Sequence, residues 1–169
     1  ATTSGTPSIQ VQANTATIES ALAGSQGLEK SGPGLLVLTS PSSYSGTTSI
    51  TGGVLSVSAF AANGSNSGLG SGSALTLNGG TLRYTGGSVP AGVFNRTVTL
   101  GSAGGIIDFA SSGFWFTSGI ISGPGGLTKT GPAQLIIAAA NTYDGATQIQ
   151  QAEVQIRNLT ALGSSVGNT

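Results

Sequence analysis

Residues 27–57 and 126–156 align without a gap at an offset of 99. Ten positions are identical: Gly27, Leu28, Lys30, Gly32, Pro33, Leu36, Tyr44, Gly46, Thr48 and Ile50 against Gly126, Leu127, Lys129, Gly131, Pro132, Leu135, Tyr143, Gly145, Thr147 and Ile149. A chain that repeats a whole multi-strand unit in register stacks that unit upon itself, and a closed sandwich has no need of such recurrence. Counting the flanking similarity, the long units run over about 18–57 and 116–156, with intervening coils over 69–115 and a final coil cut short at Thr169. The whole of 1–169 reads as a single solenoid segment. The copy also continues as LGSG from Leu69 against LGSS from Leu162, displaced by a six-residue insertion around AANGSNSG.

A shorter period lies inside the long one. Gly-Gly pairs followed by an aliphatic begin at Gly52, Gly79, Gly104 and Gly125, spaced by 27, 25 and 21 residues. Between them, runs such as VLSV, ALTL, TLRY, TVTL and QLII alternate with the period of two that marks a strand with one buried face. Coils of about 20–25 residues give about seven turns, and ~4.8 Å per strand makes a rod about 35 Å long. Such a rod exposes unpaired strand edges at each end unless it is capped. The expected fold is therefore all-β, a parallel β-solenoid. The alternative is an antiparallel β-sandwich, because LTLNGGTLRY at Leu75–Tyr84 also reads as an Asn-Gly hairpin.

In the solenoid the repeated heptapeptides GLEKSGP and GLTKTGP become corners. Glycine supplies positive φ and proline fixes φ while giving up a donor, so Gly32-Pro33 and Gly131-Pro132 turn the chain into the strands LLVL and QLII. Lys30 and Lys129 are expected to flank those corners and face water, with Leu28 and Leu127 facing in. Tyr44 and Tyr143 recur at equivalent corners, near Gly46 and Gly145, and read as packing residues.

The segment SGPGGLTKTGPAQLIIAAANTYDGATQI resembles the autotransporter-associated β-strand repeat, also called the passenger-associated transport repeat. The resemblance rests on Gly-Leu-x-Lys-x-Gly, a Leu-rich strand and Asn-x-Tyr-x-Gly-x-Thr, and extends over most of residues 18–169. The chain departs from the pattern at QQAEV (Gln150–Val154), where the family usually has Gly-Gly, and at SPSSYSG (Ser40–Gly46). What the resemblance implies is a right-handed parallel β-helix in the secreted passenger of a bacterial surface protein, located outside the cell. There it would serve as stalk, adhesin or self-associating scaffold. A chain without cysteine suits export through a narrow pore.

Composition narrows the chemistry. Gly, Ser and Thr supply 74 of 169 residues, yet the hydrophobic fraction is 37%, which separates this chain from disordered low-complexity tracts. Five cations and zero net charge cannot build a nucleic-acid footprint, and near-neutrality favours self-association. No Cys, His or Met is present, so thiolate and imidazole metal sites are excluded, and no cofactor is expected. A Gly-Gly-x-Gly-x-Asp calcium motif is not spelled. Neither a signal peptide nor a run of 18 apolar residues is seen, so no membrane span is expected, and the segment is expected to come from a longer chain.

Candidate sites are few. The acids Glu19, Glu29, Asp108, Asp144 and Glu153 fall at turns or on strand faces, with neither a carboxylate pair nor a general base beside them, so no enzyme is expected. The densest aromatic cluster is Phe114, Trp115 and Phe116. Alternation puts Phe114 and Phe116 on one side and Trp115 on the other, so one side is either a docking patch for a glycan or host surface, with Trp115 as a contact, or core filling. The sequons at Asn63, Asn95 and Asn158 are those expected by frequency in a chain so rich in Ser and Thr. Partners are expected to be neighbouring repeats, further copies, or a cell-surface glycan.

Overall fold

A computed structural model describes residues 5–164. The proposed break at Thr169 and the end of the LGSS copy lie outside them. The chain winds through seven turns. These carry strands β1 (Ser8–Gln10) and β2 (Thr15–Ile18), β3 (Leu28–Ser31) and β4 (Leu35–Leu38), and β5 (Thr48–Ile50) and β6 (Val54–Val57). Next come β7 (Ala74–Leu77), β8 (Thr81–Tyr84) and β9 (Val89–Phe94), then β10 (Thr97–Leu100), β11 (Gly105–Phe109) and β12 (Phe114–Thr117). The last two turns carry β13 (Ile121–Gly123), β14 (Leu127–Thr130) and β15 (Gln134–Ile137), then β16 (Thr142–Tyr143), β17 (Thr147–Ile149) and β18 (Val154–Ile156).

Every strand pair among the described residues is parallel, each strand bonding to the equivalent strand one turn away. Two seven-stranded sheets form the first side (β1-β3-β5-β7-β10-β13-β16) and the second side (β2-β4-β6-β8-β11-β14-β17), and a four-stranded sheet (β9-β12-β15-β18) forms the third. In the early turns the third side is loop, joined by bonds such as Ser43 N to the Leu22 carbonyl (2.8 Å) and Ser71 N to the Tyr44 carbonyl (2.8 Å).

The solenoid is thus the architecture, and the sandwich alternative is not. Strands β7 and β8, the arms of the expected hairpin, lie in different sheets; β7 pairs with β5 and β10, β8 with β6 and β11. Asn-Gly-Gly makes a corner there, with Gly79 at φ 88°. The alternating apolar residues of both arms then face one interior instead of each other. Leu36, Leu55, Leu82 and Ile107 form a continuous inward column on the second side, each essentially buried. Each such aliphatic side chain contributes about 1.5–3 kcal/mol by leaving water.

The two copies of the long unit do not sit on the same side. The register Leu28, Thr48, Leu75, Val98, Ile121 descends the first side in turns of 20, 27, 23 and 23 residues. Four turns therefore consume 93 residues, and the remaining six of the 99 carry the second copy one side further. Leu28 lies on the first side and Leu127 on the second; β4 lies on the second side and β15 on the third. By the same offset, β2 on the second side corresponds to β12 on the third.

The long turn of 27 residues, from Thr48 to Leu75, directly precedes the first turn that carries a third strand, β9. There Phe60, from the insertion, lies among Tyr84, Phe94 and Trp115 with ring centroids 4.3, 4.8 and 5.0 Å away. Trp115 meets Phe94 and Phe109 edge-on at 4.6 and 4.5 Å. This aromatic cluster fills the interior of the turns that gain a strand.

Candidate functional site: a clasp between turns

Strands Leu28–Ser31 and Leu127–Thr130 bury alternate residues, and a period of two that turns Leu28 and Leu127 inward does the same to Lys30 and Lys129. Both lysines are fully buried, which corrects the expectation that they face water. Lys30 stands in an inward column between Ile9 and Ile50, and Lys129 between Ile107 and Ile149. The aliphatic stem packs in the column while the ammonium reaches the corner.

The corner supplies what a buried cation needs. Lys30 Nζ donates to the carbonyls of Ser31 (2.9 Å), Gly32 (2.8 Å) and, from the next turn, Gly52 (3.0 Å). Lys129 Nζ donates to Thr130 (3.1 Å), Gly131 (2.8 Å) and, again from the next turn, Gln151 (3.1 Å). All three ammonium protons are thus used, and two successive turns are tied by one side chain. Gly32 and Gly131 adopt φ of 74° and 77°, which aims those carbonyls inward. Burial pushes both ammonium groups below the ordinary lysine value; Asp108 opposes this at Lys129. Lys129 also lies 5.0 Å from the Phe109 ring centroid.

The second half of the motif closes the opposite end of each unit. The Tyr44 hydroxyl bonds Thr48 Oγ1 (2.8 Å), which in turn donates to the Leu69 carbonyl one turn on (3.1 Å); the Tyr143 hydroxyl bonds Thr147 Oγ1 at 2.5 Å. Both tyrosines are buried, and burial raises their phenol pKa above the ordinary value. A side-chain Cβ at Gly46 or Gly145 would fall on the backbone of Gly27 or Gly126. Glycine is required there by close approach, and the pairs Gly27/Gly46 and Gly126/Gly145 are one contact used twice.

Residues ahead of each tyrosine complete the clasp, and their role was not expected from sequence. Asn141 is buried; its Oδ1 accepts from Ile121 N (2.8 Å) one turn below and its Nδ2 donates to the Ala161 carbonyl (2.6 Å) one turn above. In the first copy Ser42 Oγ accepts from Leu22 N (3.1 Å). Arg96 is the other residue missed. It is fully buried, and its guanidinium donates to the Gly70 carbonyl (2.7 Å), to Ser67 Oγ (3.0 Å) and to the Gly72 carbonyl. The alternation Arg96, Val98, Leu100 pointed inward all along.

The structure disperses the acids. Asp108, on the second side, accepts from Arg83 Nε (2.7 Å) and Thr130 Oγ1 (3.0 Å). Glu29, on the first side, accepts from Thr51 Oγ1 (3.1 Å), Asp144 accepts from Ser164 Oγ (2.7 Å), and Glu153 on the third side accepts from Gln134 Nε2. Among the described residues no group of three or more acids is placed to hold a metal ion. Among the described residues no helix is long and apolar enough to cross a membrane. Within Phe114, Trp115 and Phe116, Trp115 is core and cannot be a surface contact, which corrects its place in the docking patch. Phe114 faces solvent and Phe116 is half-buried on the same outer face.

Seven parallel turns, with a lysine, tyrosine and glycine clasp used twice, define a parallel β-solenoid built on a repeated unit. Residues 28–57 and 127–156, the two clasped units, match the passenger-associated-transport-repeat family, so the chain carries two such repeats. It is 42% identical over 129 residues, 73% of its length, to the adhesin BmaC autotransporter of Brucella suis biovar 1 (strain 1330). The chain spans about 4% of that relative. No solved structure matches it. These matches make the chain a structural module built on passenger-associated transport repeats.

Proposed function

We propose that this chain works as a non-catalytic spacer in a bacterial surface adhesin, holding a rod of fixed shape outside the cell and presenting its lateral faces. The observation that carries this reading is the lysine clasp: in each copy one buried ammonium joins two successive turns through carbonyls of both. A load along the rod must break such ties turn by turn, which suits a stalk. The dispersed carboxylates favour the same reading over an enzyme passenger.

Stacking is the mode of contact with partners. Ile149 and Ile156 stand where Ile50 and Val57 stand in the first copy; the latter are buried by the following turn, the former are half-exposed. A further turn, from a neighbouring repeat or a second copy, covers them and pairs the free strand edges, with zero net charge offering no repulsion. Electron microscopy with light scattering over a concentration series tests the partner: fibres mean that copies stack, and short single rods mean that only neighbouring repeats do. Pulling the chain between its termini in an optical trap tests the spacer. The expected result is stepwise rupture that the double substitution Lys30→Met/Lys129→Met shifts to clearly lower force; an unchanged force would remove the clasp as the basis of the function.

A further inference from the structure

The 99-residue offset makes an internal comparison of surfaces. Strand β12 on the third side occupies the position of β2 on the second, so Phe114 and Phe116 stand where Thr15 and Thr17 stand. All four side chains point outward, and β2 pairs four residues with β4 in regular register using threonine alone. Coil building therefore does not require phenylalanine at these positions. Yet Phe114 is 40% exposed, and among the described residues it is the one aromatic side chain in the set of exposed large hydrophobics.

The surroundings of the two rings differ between the copies in the same sense. On the third side the register places Gln134 beside Phe114 and Ile136 beside Phe116, with Gln155 one strand beyond Ile136. Glu153 is bonded by Gln134, and the Arg157 guanidinium stands 5.4 Å from the centre of the Phe116 ring. The equivalent positions of the first copy hold Leu35, Val37, Val54 and Ser56. Thus where the rings appear, amide, carboxylate and guanidinium groups appear beside them, on adjacent strands about 5 Å and 10 Å away.

We propose that this outer face of β12, β15 and β18 is a binding site for a neutral oligosaccharide chain. It rests on the reading of the module as a surface rod with free lateral faces. A pyranose ring has an apolar face of C–H groups and a rim of hydroxyls that both donate and accept. The open face of Phe114, with the half-buried Phe116 ring about 7 Å along the strand beneath the Arg157 guanidinium, receives the former, and the Gln134, Gln155, Glu153 and Arg157 groups answer the latter. Glu153 and Arg157 cancel in charge, which selects a neutral ligand. A nucleic acid would meet Glu153 with no cationic surplus, and an apolar protein surface would strip water from these polar groups without replacing their bonds.

The test is a titration of the isotopically labelled 169-residue chain with cellohexaose, chitohexaose and maltohexaose, followed by amide chemical shifts. At least one sugar is expected to move the amides of 114–116, 134 and 153–157 in a saturable way. Phe114→Thr/Phe116→Thr, which copies the first unit, is expected to keep the thermal midpoint and weaken binding about tenfold or more, since two ring contacts are lost. The rim variant Gln155→Ala/Arg157→Ala is expected to weaken it as well and serves if the ring variant fails to fold. No shift with any of the three sugars, or equal binding by both variants, overturns the site. A sedimentation change from dimer to monomer in the ring variant would overturn it too, by giving the face to a second copy. Rupture force under load is untouched by any of these outcomes, so the spacer and the sugar site fail separately.

Discussion

The unit at 27–57 and the unit at 126–156 use the same clasp on different sides of the prism, and the difference shows what the motif specifies. Lys30 ties the corner between the first and second sides, Lys129 the corner between the second and third. Tyr44 lies on a loop and Tyr143 in a strand, yet each hydroxyl finds the threonine four residues on. The motif therefore encodes a corner and its tie to the next turn, independent of which side of the rod it is on. Intervening turns are free to change length, as the 27-residue turn does, without upsetting either clasp.

The sharpest way to break the equivalence is at the close backbone contact. Gly46→Ala drives a methyl group into the Gly27 backbone, in turns covered on both sides, and is expected to cost more than about 3 kcal/mol. Gly145→Ala meets Gly126 in the same way, but its strand neighbours Gln148 and Ile149 are exposed, so the last turn can shift. Its cost is expected to be less than half as large. Urea denaturation of the two variants measures both; equal costs would mean that the final turn is as rigid as the third.

The lysines come next. Methionine keeps the aliphatic stem of either residue and removes the ammonium, leaving corner carbonyls without a donor, so each substitution is expected to destabilise by about 1–3 kcal/mol. Relief of burying a charge offsets part of the loss. Lys129→Met is expected to cost about 0.5–1 kcal/mol more than Lys30→Met, because only Lys129 also faces an aromatic ring, that of Phe109. The comparison is read from thermal midpoints, and the reverse order would show that the ring contributes nothing.

These lysines also mark the limit of what the residues alone disclosed. The parallel solenoid, its seven turns and the corner at each Gly-Pro follow from the duplication and from alternation, because stacked turns must repeat the same inward positions. The same alternation places Lys30 with Leu28, yet the usual exposure of lysine argues for water. The deciding fact is that two carbonyls next in sequence, those of Ser31 and Gly32, are joined at one point by a third from 22 residues on, that of Gly52. Arg96 and Phe60 were hidden for a like reason: their partners at 67–72 and at Tyr84, Phe94 and Trp115 are brought together by the loop insertion, which carries no periodic signature. Asn-Gly at 78–79 misled toward a hairpin because a corner and a tight turn both ask for positive φ.

One departure between the copies can be repaired. Gly53 has φ 60°, and the equivalent residue of the second unit is Ala152 at φ 58°. An L-residue in the left-handed region costs about 1–2 kcal/mol that glycine avoids, less the entropy glycine loses on folding. Ala152→Gly is therefore expected to stabilise by up to about 1 kcal/mol, visible as a higher urea midpoint at unchanged slope. Gly53→Ala is expected to do worse than reverse this, since a Cβ there collides with the Gly34 carbonyl. A neutral Ala152→Gly would place the strain elsewhere in QQAEV.

The smallest effect compares the two phenols through pH. Burial raises the pKa of Tyr44 and of Tyr143 above the ordinary 10.0. A group held protonated in the folded state contributes stability that is fully present below pH 10 and is lost as the pH climbs toward the folded value, because the unfolded chain then releases protons the native chain keeps. The lysines act with the opposite sign: their folded pKa lies below 10.5, so the native state binds fewer protons than the unfolded one and stability rises as pH approaches 10.5. The two effects overlap in the wild type, so the informative quantity is the difference between wild type and Tyr44→Phe/Tyr143→Phe, from which the lysines cancel. Wild type is expected to be more stable by about 1 kcal/mol per hydroxyl below pH 10, through the bonds to Thr48 and Thr147, and to lose that margin above it. Urea midpoints from pH 8 to 11 measure the margin. A margin that stays constant through pH 11 would mean that the phenols ionise as readily inside the rod as in the unfolded chain, and the tyrosine half of the clasp would be open to water.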